Sequence, residues 1–172
     1  MELKFDIIEI LKASTILFAV IDVIGSIPAI IALKQKAGSI NPVKASWVSL
    51  LIMIMFLFLG QTILEIIGIT VGDFAIAGSF VLFFIALEMI LGITLYKDSV
   101  PSTASIVPIA FPLIAGAGTM TTLLSLKTQY HTESIIISIF LNIIIVYAVL
   151  KKYLNRFHLP PHSHAAVGLA QA

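Results

Sequence analysis

Asp22 is a carboxylate in the middle of an apolar stretch. It is the only charged residue in residues 13–33, and Gly25, Ser26 and Pro28 follow it closely. A carboxylate at the centre of a bilayer costs about 2.5–3.5 kcal/mol on insertion scales, so such a group faces a protein interior or a watery cavity. Asp22 could bind a substrate ammonium group or a coupling cation. The alternative is a structural role, in which it accepts hydrogen bonds from backbone N–H groups freed by a helix break.

A second segment whose residues could bind a ligand lies in another apolar stretch. It contains two glycines and three threonines, Gly116, Gly118, Thr119, Thr121 and Thr122. Glycines let backbone amides approach a ligand closely, and a helix that starts near Thr119 points its positive end at an anion. A carboxylate would fit there. The alternative is that glycine and threonine only let helices pack closely, which is common in membranes.

Other titratable residues carry weaker signals. Glu88 lies in a further apolar stretch, nearer its end, where it could extend to the interface or serve a proton relay. His158, His162 and His164 cluster near the C-terminus without a carboxylate, which favours a solvated or altered terminus over a metal site. No nucleophile–base pair, nucleotide-binding loop or zinc spacing is present, so we expect neither an enzyme nor a cofactor or metal site.

The composition places these residues in a membrane. Of 172 residues, 59% are hydrophobic and 11% are charged, whereas an average soluble domain is about 45–50% apolar and about 25% charged. The apolar residues come in blocks of roughly 20, which excludes a cytosolic enzyme, a nucleic-acid-binding module and a disordered segment. A net charge of +1 leaves no basic field for nucleic acid, and cysteine is absent, so disulfides are excluded.

Five stretches are long enough to cross a bilayer, which takes about 20 apolar residues. They are residues 13–33, 45–64, 74–96, 99–126 and 134–150. The acidic residues that precede the first stretch argue against a cleaved signal peptide. Lysine and arginine divide three against seven between the two sides. The richer side should be cytoplasmic, which predicts a multi-pass protein of the plasma (inner) membrane with its N-terminus outside.

The first and fourth spans are interrupted at similar depths, which indicates an internal repeat. Aligning Gly25 with Gly116 gives an offset of 91 residues (116 − 25). This offset maps the second span onto residues 136–155, close to the fifth, and the third span onto 165–187, beyond the last residue. The sequence therefore predicts a three-helix unit used twice, repeat 1 over residues 8–97 and an incomplete repeat 2 over 99–156.

Because three is odd, the second unit should be inverted, as in many secondary transporters. The predicted fold class is all-α, a polytopic transmembrane helix bundle with an inverted 3+3 repeat and broken helices at spans 1 and 4. It forms one domain over residues 1–156. The apolar part of the tail 157–172 is too short to cross a bilayer. We expect the missing sixth helix to lower stability or to favour a homo-oligomer in which a neighbour covers the open face.

Four stretches of the chain resemble the MarC family, six-helix integral membrane proteins also grouped as neutral amino acid transporters. They are residues 18–28 (FAVIDVIGSIP), 72–78 (GDFAIAG), 85–89 (IALEM) and 112–122 (PLIAGAGTMTT). The resemblance covers residues 8 to 150. Val23, Ser26 and Ala117 stand where the family usually has proline, asparagine and proline, which softens the helix breaks and is expected to alter substrate choice.

The resemblance implies alternating-access transport of small neutral amino acids or related metabolites. Asp22, with Gly25 and Ser26, would bind the ammonium group, and the segment from Gly116 to Thr122 would bind the carboxylate. No second buried charge is evident for a charged side chain. Asp22 and Glu88 are the candidates for ion coupling or relay. The alternatives are an ion-permeating, channel-like protein in which Asp22 binds a cation, and a truncated or non-transporting membrane protein.

Overall fold

The structure is a computed structural model that describes residues 6–37, 40–91 and 105–156. Most of these residues are helical. In chain order the helices are α1 Ile7–Ile21, α2 Ile27–Ala37, α3 Pro42–Ile67, α4 Val71–Leu91, a π-helix Ser105–Ile114, α5 Ala117–Lys127 and α6 Thr132–Arg156. The predicted all-α fold class is confirmed. The tail histidines, the loop at Lys97 and the side chain of Glu88 lie outside the described residues.

The helices follow the five predicted spans. Helices α3, α4 and α6 occupy the second, third and fifth spans, whereas α1 with α2 and the π-helix with α5 divide the first and fourth. Within the described ranges, α3 and α6 are each long and apolar enough to cross a membrane as one helix. The predicted breaks in spans 1 and 4 are therefore present as interruptions between successive helices.

The turn between α3 and α4 is built from residues suited to helix ends. Gly68 ends α3 with φ of 80°, a left-handed conformation that glycine adopts at little cost. Two residues later, Thr70 and Asp73 cap α4 reciprocally. The Thr70 hydroxyl donates to Asp73 Oδ2 at 2.7 Å, and the Asp73 N–H donates to Thr70 Oγ1 at 3.1 Å. A short turn therefore separates α3 from α4.

Helices α1 and α6 are joined by buried polar contacts. Ser138 Oγ donates to the Ile10 carbonyl at 3.0 Å, and Asn142 Nδ2 donates to the carbonyl and hydroxyl oxygens of Ser14, both at 3.1 Å. Both contacts advance by four residues along each helix, so α1 and α6 run parallel. Parallel packing is what the first and fifth spans of an alternating path require.

Two pairs of helices have similar lengths and the same spacing along the chain. Helices α2 and α5 each have 11 residues and begin 90 residues apart (117 − 27). Helices α3 and α6 have 26 and 25 residues and also begin 90 residues apart (132 − 42). The helix bounds thus match the spacing of the predicted repeat to within one residue, and the repeat itself stays a prediction.

Two lysines connect the short helices to the long helices. Lys34, near the end of α2, donates to the Leu154 carbonyl on α6. Lys127, at the end of α5, donates to the Leu57 carbonyl on α3 at 3.1 Å. Each short helix that follows a break is therefore fastened to the long helix of the other repeat. The core between these helices includes the buried side chains of Leu17, Met53 and Ile139.

Gly78 sets the distance between α4 and α5. A Cβ atom placed on Gly78 would lie 1.9 Å from the Cβ of Ala117, the first residue of α5. Helix α4 therefore crosses the start of α5 too closely for any side chain at position 78. Small residues at such crossings allow helices in membranes to pack through their backbones.

We expect Gly78→Ala to destabilise the protein, because the added methyl group forces α4 away from α5. Overpacking of this kind costs about 1–3 kcal/mol, which should lower the thermal stability of the purified protein in detergent. Gly72→Ala is the matched control on the same helix, since the nearest atom to its Cβ, Thr70 Oγ1, is at an ordinary 3.6 Å. Equal stability of the two variants would contradict the close crossing.

Glu9 joins the start of α1 to the segment before α6. Its Oε2 lies 3.0 Å from His131 Nδ1 and accepts the His131 backbone N–H at 3.2 Å. Hydrogen bonding from the His131 side chain holds the pKa of Glu9 below its ordinary value of 4.5. A depressed pKa stabilises the fold above the ordinary value, and that contribution is lost as pH falls through the folded-state pKa.

Thermal stability should therefore fall on acidification below about pH 4.5, the ordinary range of the Glu9 carboxyl. In Glu9→Gln the fall should be smaller, because the amide does not titrate. The measurement is the unfolding temperature of both proteins in detergent between neutral and acidic pH. An identical pH dependence in the two proteins would show that Glu9 contributes nothing to the acid sensitivity.

Candidate functional site

The break in the first span is organised by Asp22. This residue follows the last residue of α1 with φ of 41° and ψ of 52°, a left-handed conformation that aspartate tolerates better than most residues. Its Oδ1 accepts the Gly25 N–H at 3.1 Å, and its carbonyl accepts the Ser26 hydroxyl at 3.0 Å. The structural role considered for Asp22 is therefore present, because its carboxylate satisfies an amide in the break.

That role leaves part of the carboxylate unused. The Asp22 side chain is exposed, and among the described residues the Gly25 N–H is the only donor to it. A Cβ atom on Gly25 would lie 2.2 Å from Asp22 Oδ2, so glycine at this position is what allows the carboxylate to fold back over the break. Asp22 can thus cap the break through one oxygen and still present the other to a ligand.

The second break separates the π-helix from α5. Ala115 donates to the Ala110 carbonyl at 2.9 Å, five residues back, which continues the π pattern to its end. Gly116 is then extended and forms the N-cap of α5 without a side-chain hydrogen bond. No side chain at position 116 therefore caps the N–H groups in the first turn of α5, which form the positive end of this helix. The helix starts at Ala117, two residues earlier than the predicted start near Thr119.

The three threonines of this segment differ in their surroundings. Thr119 is buried, and its hydroxyl donates to the Ile114 carbonyl at 2.9 Å, which ties α5 to the end of the π-helix. This bond explains the earlier helix start, because position 119 is already part of the first turn. Thr121 is half-buried and donates to the Gly118 carbonyl at 3.0 Å. Thr122 is half-buried, with no hydroxyl bond to another described residue.

The fold brings the two breaks side by side. A Cβ atom on Gly118 would lie 3.6 Å from Val20 Cγ1, so the last turn of α1 packs against the first turn of α5. Val20 is two residues before Asp22, and Gly118 is two residues after Gly116. Asp22 therefore lies two residues along the chain from the contact between α1 and α5, and the start of α5 lies at that contact. A carboxylate and the positive end of a helix in such an arrangement could receive the ammonium and carboxylate groups of one small molecule.

Some features of this site could not be read from the sequence. Val20 is an ordinary apolar residue of α1, and nothing in the pattern marks it as the contact with Gly118. The crossing of Gly78 with Ala117, which fixes the start of α5, was signalled only by the glycine in the stretch 72–78. Glu88 lies on α4, but its side chain is outside the described part, so its relation to the site stays a prediction. The described residues contain no group of three or more potential metal ligands of the His, Cys, Asp and Glu types.

Comparison with known proteins gives a family match over most of the chain. A family model described as "MarC family integral membrane protein" matches residues 7–156. This range includes both breaks and all the described helices. It ends at the last residue of α6, so it covers the part of the chain in which the candidate site lies.

Several curated relatives are similar at about 30% identity. UPF0056 membrane protein YhcE of Escherichia coli is 33% identical over 141 residues, covering 74% of this chain and 65% of that protein. UPF0056 inner membrane protein YhgN of the same species is 31% identical over 132 residues, covering 73% and 67%. A UPF0056 membrane protein of Buchnera aphidicola is 29% identical over 150 residues, covering 80% and 76%. No solved structure matches the chain.

Proposed function

The chain belongs to the MarC family of integral membrane proteins, and on that premise we propose that it carries small neutral amino acids or related small metabolites by alternating access. The relatives' names specify a membrane protein and no substrate, so the proposal rests on the site. Its main support is the pair of helix breaks, one in each repeat, that meet where α1 packs on α5. Such paired breaks form substrate sites in transporters built from inverted repeats.

In this proposal Asp22 binds the ammonium group of the substrate or a coupling cation. Its side chain is exposed, and one carboxylate oxygen already caps the break through the Gly25 N–H. Ser26 lies beside it, with its hydroxyl hydrogen donated to the Asp22 carbonyl and its oxygen lone pairs able to accept. A carboxylate fixed on a break, instead of on a mobile side chain in water, offers a cation a preorganised ligand.

The substrate carboxylate then lies at the start of α5. Gly116 provides no side chain between the ligand and the first-turn amides, and Gly118 is exposed. Thr121 and Thr122 contribute hydroxyl groups on the following turn, whereas the Thr119 hydroxyl is engaged by Ile114 and supports the break. The two poles suit a zwitterion, and no second described charge lies at the breaks to receive a charged side chain, so the proposal favours neutral amino acids.

Alternating access would use the symmetry of the repeats. Helices α2 and α5 follow the breaks and are each fastened by a lysine to the long helix of the other repeat. Rocking of one repeat against the other would move these helices around the site. We place the protein in the inner membrane, as the name of YhgN states for that relative, with the N-terminus outside because seven of ten basic residues lie on the other side.

Asp22→Asn separates the charge from the capping role, since the asparagine oxygen can still accept the Gly25 N–H. We expect counterflow of radiolabelled alanine, glycine and serine in proteoliposomes to fall about tenfold or more, since a hydrogen bond to a charged group contributes about 1.5–3 kcal/mol. Glu65→Gln is the control, because it removes an exposed carboxylate that bonds only Gln61 among the described residues. Undiminished counterflow in Asp22→Asn would overturn the assignment, and single-channel currents in the wild type would favour the ion-permeating alternative.

Gly118→Ala tests the carboxylate pole without disturbing the fold, because its methyl group would make an ordinary 3.6 Å contact with Val20. The methyl group would nevertheless stand between a ligand and the amides of α5. We expect the substrate concentration for half-maximal uptake to rise about tenfold, the equivalent of about 1.4 kcal/mol, with unchanged thermal stability. Thr121→Val and Thr122→Val should raise it less. An unchanged half-maximal concentration in all three variants would show that these residues serve only helix packing.

A further inference from the structure

A groove of about 290 Å³ lies between α3 and α6, away from the helix breaks. Its walls come from residues 43–50 of α3 and 140–147 of α6, and they include Trp47, Leu50, Phe140, Ile143 and Tyr147. Seven residues of helix rise about 10 Å, so the groove is elongated along the helices. Its volume is close to the lower bound of about 300 Å³ for small-molecule pockets.

The groove is apolar along its length but contains one unsatisfied polar group. Ser46 is 4% exposed, and its hydroxyl has no hydrogen-bond partner within the described part of the chain. A buried hydroxyl without a partner costs free energy that a ligand with an acceptor oxygen would recover. This observation favours a resident molecule that is mostly hydrocarbon and carries at least one acceptor, such as the ester group of a lipid.

The end of the groove is marked by aromatic and cationic side chains. Trp47 is 67% exposed, and Tyr147 is half-buried beside it on the other wall. Tryptophan and tyrosine concentrate at the membrane–water interface, where one part of the side chain is apolar and the other is wet. Lys151 places its ammonium group 5.5 Å from the centre of the Tyr147 ring, one helical turn beyond the groove.

The cations at this end have no acidic partner in the part of the chain that the structure describes. Lys44 and Lys151 are exposed, and neither has a carboxylate partner among residues 6–37, 40–91 and 105–156. The first amides of α3 are occupied, because Asn41 Oδ1 accepts the N–H groups of Val43 and Lys44 at 3.0 and 3.2 Å. An anion at this end would therefore be held by lysine side chains and not by the helix terminus.

We propose that this groove binds the acyl chain of an anionic phospholipid, with the lipid phosphate at Lys151 and Lys44. The hydrocarbon chain would lie along Leu50, Phe140 and Ile143, and the ester region would reach the Ser46 hydroxyl. Basic side chains at the mouth of an apolar groove between membrane helices are suited to anionic head groups. This site is independent of the transport proposal, since it shares no residue with the helix breaks.

Trp47 is the only tryptophan in the chain, so its fluorescence reports this groove alone. The full chain would be reconstituted in vesicles of unmodified phosphatidylcholine. One series of vesicles contains increasing fractions of phosphatidylglycerol with brominated acyl chains, and the other contains phosphatidylcholine with brominated acyl chains. Bromine on the acyl chains quenches tryptophan on contact. At equal mole fraction we expect the brominated phosphatidylglycerol to quench Trp47 as if it bound about fivefold more tightly than the brominated phosphatidylcholine. The difference should disappear at about 1 M salt, which screens charges beyond about 3 Å.

Lys151→Gln removes one cation from an exposed position and should reduce the preference for phosphatidylglycerol, because Lys44 alone then faces the phosphate. Lys12→Gln is the matched control, because it removes an equally exposed lysine from α1 and should leave the preference unchanged. Equal quenching by the two lipids in the wild type would overturn the proposal, as would a preference that Lys151→Gln leaves unchanged. Occupation of the groove by a second copy of the chain would also overturn it, and would appear as the loss of quenching by both lipids when the protein is concentrated in the vesicles.

Discussion

A helix that breaks inside a bilayer must satisfy its own backbone, because no water is available to the freed N–H and C=O groups. The rest of this structure depends on how that constraint is met. In the first break the Asp22 carboxylate accepts the Gly25 N–H, and the Ser26 hydroxyl donates to the Asp22 carbonyl. In the second, the Thr119 hydroxyl donates to Ile114. Short polar side chains thus replace the intrahelical bonds that are lost, and each does so within five residues of its own chain.

The same constraint connects structure with function. A side chain that caps a break is held in place by the backbone it satisfies, so it is already ordered before a ligand arrives. Asp22 uses one carboxylate oxygen in this way, and Gly25 makes room for the other. The structural and functional roles considered for Asp22 are therefore compatible, and the capping bond is what would hold the carboxylate ready for a cation.

The sequence was informative where polar residues or glycines interrupt an apolar stretch. Asp22, the paired glycines and the length of the apolar stretches were enough to predict the two breaks. The sequence did not predict features that depend on the shapes of packed helices. The π-helix before Ile114, the contact of Val20 with Gly118 and the fit of Ala117 against Gly78 depend on how helices cross. The Thr119 hydroxyl is similar, because only the path of the backbone brings the Ile114 carbonyl within its reach.

The two halves of the site are equivalent in position but not in chemistry. With the observed offset of 90 residues (117 − 27), Asp22 corresponds to Pro112 and Ser26 corresponds to Gly116. One repeat therefore contributes a carboxylate, whereas the other contributes a proline and an uncapped helix start. A scaffold with two matching halves would by itself offer a ligand two equal faces. Because only one break is acidic, the meeting of α1 with α5 has a negative side and a positive side, and this polarity is the feature that would orient a molecule carrying one ammonium and one carboxylate group.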